Sequence, residues 1–215
     1  MPAAEPPDDL AGAPYVVTLE EGADVWRVHG AYPACAVNPT PHPTVPGGGR
    51  FDSLTGDYTY TYLGDSPETA VAETLCRDLP VTGRPRLVPR SRIVGRRLTR
   101  LTVTTPVLVI ALHGPHLAAV GQDAWLTTSA PSDYVLTRRW AAALLAAAPG
   151  TSGLVYRCRH DDDRFAWMLT ASHTAKTHPA LAETGEHFAL DSPVGIALVD
   201  TILARYNAAL ATSAR

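Results

Sequence analysis

The sequence predicts an α+β fold in a single domain. Segments typical of strands, with alternating Tyr and Thr or with runs of Val, Ile and Leu, are interspersed with helical patterns. The chain of 215 residues is long enough to bury most of its apolar surface as one unit without disulfides. It contains no internal repeat and no sign of a second domain.

The N-terminal part of the chain divides into a leader, a strand and a long loop. Residues 1–14 are rich in proline and acidic residues and are expected to form a flexible leader outside the core. The domain is expected over residues 15–215, with a first strand at 25–29. Residues 33–49 form a predicted loop with five prolines and three consecutive glycines. Loops of this length in compact domains are usually functional or disordered.

A strand and a helix start follow this loop. Residues 57–63 alternate Tyr and Thr, which predicts a strand. Ser66 or Asp65 is a candidate N-cap, and Pro67 suits the first helical position. On the predicted helix one face carries residues at i, i+3, i+4 and i+7, namely Ala70, Glu73, Thr74 and Arg77. The small Ala70 leaves room beside the Glu73 carboxylate.

The remaining elements are predicted from β-branched runs, helical periodicity and turn residues. The predicted strands lie at residues 93–94, 98–103 and 107–112, the predicted helices at 132–148 and 194–210, and a predicted hairpin joins 153–159 to 165–170 around the aspartates 161–163.

Composition argues against several classes of function. The net charge of −3 gives no bulk attraction to nucleic acid or to an anionic membrane. The arginines between residues 84 and 100 are therefore expected on a solvated or partner-facing strand. No segment approaches the ~20 apolar residues that span a bilayer, and the N-terminal residues lack the pattern of a secretory signal. We expect a soluble, cytoplasmic protein.

The cysteines and histidines predict neither disulfides nor a metal site. Cys35, Cys76 and Cys158 are odd in number and far apart in the sequence. The histidines are scattered, and a proline between His113 and His116 prevents these two from sharing one helix face. We expect no bound metal.

A glycine-supported arginine is the first candidate for ligand binding. Arg50 follows the three glycines that end at Gly49. The guanidinium fork can bind a phosphate in a bidentate manner, while the glycines let backbone N–H groups approach the same oxygens. Arg27, near the predicted start of the fold, is a second candidate of this kind. The alternative for Arg50 is an ion pair with a surface acid.

Glu73 and Tyr62 are candidates for chemistry on a ribosyl compound. A carboxylate stabilises the oxocarbenium-like cation that forms when a glycosidic bond breaks. Tyr62 ends a strand just before the helix, where its ring can stack on a ligand ring; Tyr58 and Tyr60 compete for this role. The alternatives are an exposed Glu73 paired with Arg77 and tyrosines that serve only the core.

The order of these residues along the chain resembles that of the RES-domain family. The resemblance is carried by Trp26-Arg-Val-His29, Gly49-Arg-Phe51, Tyr62-Leu63, Ala70-x-x-Glu73 and Tyr156-x-Cys158. The family is named for an arginine, a glutamate and a serine, and Cys158 stands where the pattern has serine. The resemblance implies a fold like that of ADP-ribosyltransferase toxins, NAD as substrate, no metal, and often an Xre-like antitoxin partner.

The resemblance also implies roles for single residues. It assigns Glu73, Tyr62 and Arg27 to catalysis. It assigns substrate binding to Arg50, Arg27, Gly49, Cys158 and Tyr156. Cleavage of the nicotinamide–ribose bond needs no general acid, because nicotinamide leaves a cationic pyridinium as a neutral base. The implied activity is therefore an NAD glycohydrolase or phosphorylase, plausibly the toxin of a toxin–antitoxin pair.

Other activities and roles stay open at this point. The protein is alternatively an ADP-ribosyltransferase that modifies another protein, or a catalytically silent domain that binds NAD or a partner. The thiol of Cys158 is either a small buried group, a weakened hydrogen-bonding partner in place of serine, or a nucleophile. The oligomeric state is also open.

Overall fold

A computed structural model describes residues 5–44, 47–77, 79 and 84–211. The strands are β1 (Val16–Leu19), β2 (Asp24–His29), β3 (Tyr58–Gly64), β4 (Arg86–Val88), β5 (Arg97–Val103), β6 (Val107–Leu112), β7 (Gly153–Cys158), β8 (Asp161–Ser172), β9 (Leu181–Ala189) and β10 (Ala208–Leu210). The α-helices are α1 (Pro67–Val71), α2 (Pro115–Ala119), α3 (Trp125–Thr128), α4 (Tyr134–Ala147) and α5 (Pro193–Arg205). A π-helical turn, Ala72–Cys76, continues α1, and Arg90–Arg92 and Pro131–Asp133 are 3₁₀ turns. The predicted α+β fold in one domain is confirmed.

Eight strands form one mixed sheet in the order β1-β6-β7-β8-β3-β2-β5-β9. All neighbours are antiparallel except β6 and β7, which are parallel. A parallel pair needs a long crossover, and α2, α3 and α4 supply it. Strands β4 and β10 form a separate parallel pair.

The sheet opens between β2 and β3. These two strands pair only at Trp26 and Gly64. Beyond that point β3 pairs with β8 over its whole length, and β2 pairs with β5. The two strands therefore diverge in the middle of the sheet, and α1 starts directly after β3 beside the gap.

Three clusters of buried side chains hold the layers together. On one face, Tyr156 and Met168 pack with Trp140 of α4, and Leu10 also packs against this cluster. Val155 belongs to a second cluster on the opposite face, as alternation along β7 requires. A third cluster joins α1 and the π-helical turn to α5 and includes Val71, Leu75, Val199 and Leu203. Leu10 shows that part of the predicted leader contacts the core.

Several predicted elements differ from the structure. Residues 93–94 are not a strand, because a turn that ends at Gly95 (φ +66°) precedes β5. The last helix ends at Arg205, since Asn207 has a positive φ of 49° and the following residues pair with β4. The predicted hairpin of β7 and β8 is present. Its turn lies at residues 159–160, and the aspartates 161–163 already belong to β8.

Strands β1, β4 and β9 and helices α2 and α3 have no counterpart in the sequence-based prediction. None of the helices in the described ranges is both long and apolar enough to cross a lipid bilayer.

The loop predicted at residues 33–49, called the glycine-rich loop below, is held at its described residues by one buried arginine of α4. Arg138 is fully buried. Its guanidinium donates hydrogen bonds to four backbone carbonyls of the loop, those of His42 (2.7 Å), Thr44 (3.0 Å), Gly47 (2.5 Å) and Gly49 (3.0 Å). A neighbouring hydroxyl, that of Thr137, donates to the carbonyl of Arg50 at 2.6 Å. Helix α4 therefore fixes the path of the loop.

We expect Arg138→Met to destabilise the protein by about 3 kcal/mol, because four loop carbonyls lose the hydrogen bonds that the buried guanidinium donates. Urea denaturation followed by circular dichroism measures the change. The matched control is Arg139→Met, one position along, whose exposed side chain pairs with Glu5. Its cost should stay below about 1 kcal/mol. Equal unfolding midpoints for the two variants would contradict the role given to Arg138.

Candidate functional site

A cavity of about 670 Å³ occupies the gap between β2 and β3. The wall is formed by both strands, by the glycine-rich loop and by the helix that carries Glu73. Charged side chains in the wall are Arg27, Arg50, Arg77, Arg92, Arg96, Asp52 and Glu73. Aromatic side chains in the wall are Trp26, Tyr32, Tyr60, Tyr62 and Tyr156. The volume is in the range of small-molecule binding sites.

The wall of the cavity is strongly positive although the whole chain is negative. Its five arginines face two carboxylates, while the chain has a net charge of −3. One of the two carboxylates, Asp52, already accepts hydrogen bonds from within the protein. The arrangement suits a ligand with several negative charges and flat rings.

Arg50 is buried among aromatic rings. Its side chain is 2% exposed, and its Nε and Nη2 have no hydrogen-bond partner among the described residues. The guanidinium carbon lies 5.8 Å from the ring centre of Phe51, 5.7 Å from that of Tyr134 and 5.9 Å from that of Tyr156. No ion pair between described residues involves Arg50. The alternative of a surface ion pair is therefore not what the structure shows.

Gly49 matters in this site because it has no side chain, and not because its N–H is free to donate to a ligand. A Cβ atom at this position would lie 2.6 Å from the Tyr62 hydroxyl and 2.8 Å from Asp52 Oδ1, which is too close for any side chain. The Gly49 N–H donates to Asp52 Oδ2 at 2.6 Å, so it is already engaged. The expected backbone donor to a ligand is thus occupied, and Gly49 instead lets Tyr62 and Asp52 approach the loop.

Tyr62 lines the cavity with a ring that is fixed at its hydroxyl end. The hydroxyl donates to Asp52 Oδ1 at 2.7 Å and accepts from the N–H of Phe51 at 2.9 Å. Burial, and next the Asp52 charge, raise the pKa of Tyr62, so the phenol stays neutral. Tyr60 also lines the cavity, whereas Tyr58 is not among the lining residues. Tyr62 and Tyr60 are therefore both placed to stack on a ligand.

Arg27 supports the other end of the loop. Its Nη1 donates to the carbonyl of Ala34 at 2.7 Å and to that of Ala36. Its guanidinium carbon lies 5.5 Å from the ring centre of Tyr32. Burial lowers the pKa of Arg27, but from a usual value so far above neutrality that the group keeps its charge. Arg27 thus lines the cavity and also holds the first part of the glycine-rich loop.

Glu73 lies on the π-helical turn with its carboxylate toward the cavity. Ser66 caps α1, with its hydroxyl accepting from the N–H of Thr69 at 3.2 Å, and Pro67 is the first helical residue, as predicted. Glu73 is half-buried, and its Oε1 accepts from the N–H of Arg159 at 2.7 Å. All four residues predicted to share one helix face line the cavity: Ala70, Glu73, Thr74 and Arg77. The carboxylate is therefore held in place and is not an exposed surface group.

Cys158 lies behind Glu73 and not in the cavity wall. Its side chain is fully buried and is not among the described residues that line the cavity. Burial raises the pKa of the Cys158 thiol, and the charge of the nearby Glu73 carboxylate raises it further. The thiol therefore stays protonated. Cys158 is thus outside the described cavity wall, and its role in substrate binding stays a prediction.

Tyr156, two residues before Cys158 on β7, lines the cavity, while its role in substrate binding stays a prediction. It is fully buried, and burial followed by the Glu73 charge raises its pKa, while Arg50 lowers it. The ring packs edge-on against Phe51, with 5.2 Å between ring centres. Tyr156 thus connects the Glu73 side of the cavity to the Arg50 side.

Sequence analysis did not assign several residues of this site. Asp52 directly follows the Gly49-Arg-Phe51 motif, but its partner Tyr62 comes from the next strand. The arginines between residues 84 and 100 are expected on a solvated or partner-facing strand, but Arg92 and Arg96 lie before β5 and line the cavity. The donor at Arg159 is a backbone group and leaves no signal in the sequence. Within the described residues, no group of three His, Cys, Asp or Glu side chains could hold a metal ion.

Comparison with known proteins gives a family and a related fold. A family model described as the RES domain matches residues 24–191, which is most of the chain. The structure is similar to the toxin chain in the crystal structure of the M. tuberculosis MbcT–MbcA toxin–antitoxin complex. The TM-score is 0.58 at 20% identity, with 87% of this chain and 92% of that chain covered. No match was found among curated proteins. On the strength of the family match, this chain belongs to the RES domain family.

Proposed function

We propose that this protein consumes NAD⁺ by cleaving the bond between nicotinamide and ribose. The observation that carries the proposal is the Glu73 carboxylate, held at the wall of a cavity that is otherwise lined by arginines and aromatic rings. Family membership and a fold like that of a toxin from a toxin–antitoxin complex support it. We further propose that the protein is such a toxin, that an antitoxin protein is its partner, and that its fold belongs with the ADP-ribosyltransferases.

In the proposed complex, the pyrophosphate, the rings and the nicotinamide ribose of NAD⁺ would each meet residues of the cavity wall. The Arg50 guanidinium, which has no carboxylate partner among the described residues, would bind the pyrophosphate. Tyr62 and Tyr156 present neutral rings for the nicotinamide or the adenine. Arg27 would contribute positive charge from the opposite strand. These contacts would place the nicotinamide ribose at Glu73.

Bond cleavage in this scheme depends on electrostatics. The C1′–N bond breaks, its electron pair goes to the nicotinamide nitrogen, and C1′ becomes an oxocarbenium-like cation. Glu73 stabilises that cation as its charge develops. No side chain needs to protonate the leaving group, because nicotinamide departs as a neutral base. Water, inorganic phosphate or a protein side chain then adds to C1′, and the product identifies the acceptor.

The deciding experiment is incubation of the purified protein with NAD⁺, with and without phosphate, followed by identification of the products. Free nicotinamide is expected in every case. ADP-ribose, ADP-ribose 1″-phosphate or a labelled protein would identify water, phosphate or a protein as the acceptor. Binding of NAD⁺ without any release of nicotinamide would contradict the proposed reaction.

We expect Glu73→Gln to lower kcat about 10²–10³-fold while substrate binding survives, because the amide keeps the shape and removes the charge. Nicotinamide release and NAD⁺ titration measure the two effects. Glu68→Gln is the matched control, since Glu68 lies on the same helix but pairs with Arg205 and Arg164 outside the cavity wall. The assignment of Glu73 would be wrong if both variants turned over NAD⁺ at the wild-type rate.

Arg50→Lys should act mainly on binding. The pyrophosphate carries the same charge in the ground and transition states, and an ammonium replaces the charge of the guanidinium but not its fork. We expect KM to rise about tenfold or more with kcat nearly unchanged. Steady-state kinetics separate the two parameters. A fall in kcat at constant KM would instead place Arg50 in the transition state.

Cys158→Ser should retain or raise activity, and Cys158→Ala should cost little. The serine hydroxyl can donate a stronger hydrogen bond to Glu73 than the thiol does, and a protonated, buried thiol is a poor nucleophile. For the same reason a thiol alkylator should not inactivate the folded protein. Loss of turnover in Cys158→Ser with an unchanged circular dichroism spectrum would indicate a nucleophilic thiol.

A further inference from the structure

Arg92 and Arg96, like Arg77, line the cavity but have no role in the scheme above. Arg92 and Arg96 come from the connection between β4 and β5 and reach the cavity beside β2. Arg92 Nη2 donates to the carbonyl of Thr74 at 2.8 Å, which places this side chain next to the residue that follows Glu73. Its Nε is buried and has no hydrogen-bond partner among the described residues. Both side chains are half-buried.

Positive charge is concentrated at this end of the cavity. Burial lowers the pKa of Arg96, and the charges of Arg92 and Arg77 lower it further, while Tyr32 acts in the opposite direction. No ion pair between described residues involves Arg92 or Arg96. Of the two carboxylates in the wall, Asp52 is bonded to the glycine-rich loop and Tyr62, and Glu73 to Arg159. A bound anion would reduce the repulsion between the positive charges of Arg92 and Arg96.

Arg92 and Arg96 have different neighbours from Arg50, the residue of the proposed pyrophosphate site. Arg50 lies among the rings of Phe51, Tyr134 and Tyr156, beneath the glycine-rich loop. Arg92 and Arg96 approach from the connection before β5, next to Thr74 and close enough to Tyr32 for an electrostatic effect.

We propose that Arg92 and Arg96 form a second anion subsite that binds a phosphate dianion in addition to the pyrophosphate of the dinucleotide. The inference rests on the proposed function and deepens it. The phosphate has two chemical sources. It is either carried by the dinucleotide, as the 2′-phosphate of NADP⁺, or it is free inorganic phosphate. In both cases two half-buried guanidinium groups supply the several N–H donors that a phosphate accepts.

Binding is measured by calorimetric titration in the Glu73→Gln background, which removes turnover from the readout. NAD⁺, NADP⁺ and inorganic phosphate are the ligands, the last with and without NAD⁺. Arg92→Gln and Arg96→Gln are the test variants. Arg97→Gln is the matched control, because it removes the same charge from an exposed side chain one position along, outside the cavity wall.

We expect Arg92→Gln and Arg96→Gln each to weaken binding of the phosphate-bearing ligand about tenfold or more, with less than about a threefold change for NAD⁺. Arg97→Gln should leave all three affinities nearly unchanged. A preference for NADP⁺ over NAD⁺ that disappears in the test variants identifies the dinucleotide as the source. Saturable binding of inorganic phosphate in the presence of NAD⁺, lost in the same variants, identifies the free ion.

The subsite is absent if neither NADP⁺ nor inorganic phosphate responds to the test variants more than to Arg97→Gln. Arg96→Lys, which keeps the charge but not the fork, replaces Arg96→Gln if the latter does not fold, and at least a threefold loss is then expected. The titration with inorganic phosphate does not depend on NAD⁺ cleavage. Failure of the proposed function, seen as no nicotinamide release by the wild type, is therefore distinguishable from failure of the subsite.

Discussion

The guanidinium of Arg138 determines the shape of the cavity without lining it. By donating to carbonyls at four points of the glycine-rich loop, it turns a long, proline-rich connection into a fixed wall. Asp52 and Arg50 take their positions from this loop, and Tyr62 is bonded to it from the neighbouring strand. Carbonyls inside a protein need hydrogen-bond donors. In this loop the Arg138 guanidinium supplies the donors that a neighbouring strand supplies in a sheet.

No ion pair between described residues joins an arginine of the cavity wall to Asp52 or Glu73. The arginines face the cavity with few carboxylates between them, and the tyrosines in the wall stay neutral because burial raises their pKa. No ion pair between described residues involves Glu73, and its Oε1 accepts a hydrogen bond from a backbone N–H. A backbone donor fixes the carboxylate without cancelling its charge, which preserves its ability to stabilise a developing cation.

Features set by local chemistry could be predicted from the sequence, and features set by long-range pairing could not. The cap at Ser66 and the helix face with Glu73 follow from a few adjacent residues, and both are confirmed. The position of Cys158 depends on which face of β7 meets the π-helical turn, so a motif could identify the residue but not its neighbour. Arg92 and Arg96 reach the cavity only because a turn replaces the expected strand. The closing strand β10 forms because β4 offers a partner.

The protonated thiol behind Glu73 has a consequence for behaviour under oxidative stress. Oxidants and electrophiles react with thiolates, and a cysteine that is buried against a carboxylate is rarely in that form. The group that supports Glu73 is thus chemically inert although it is sulfur. For the proposed reaction, the surroundings of Glu73 would accordingly stay the same while the redox balance around the protein changes, because Cys158 is not readily oxidised.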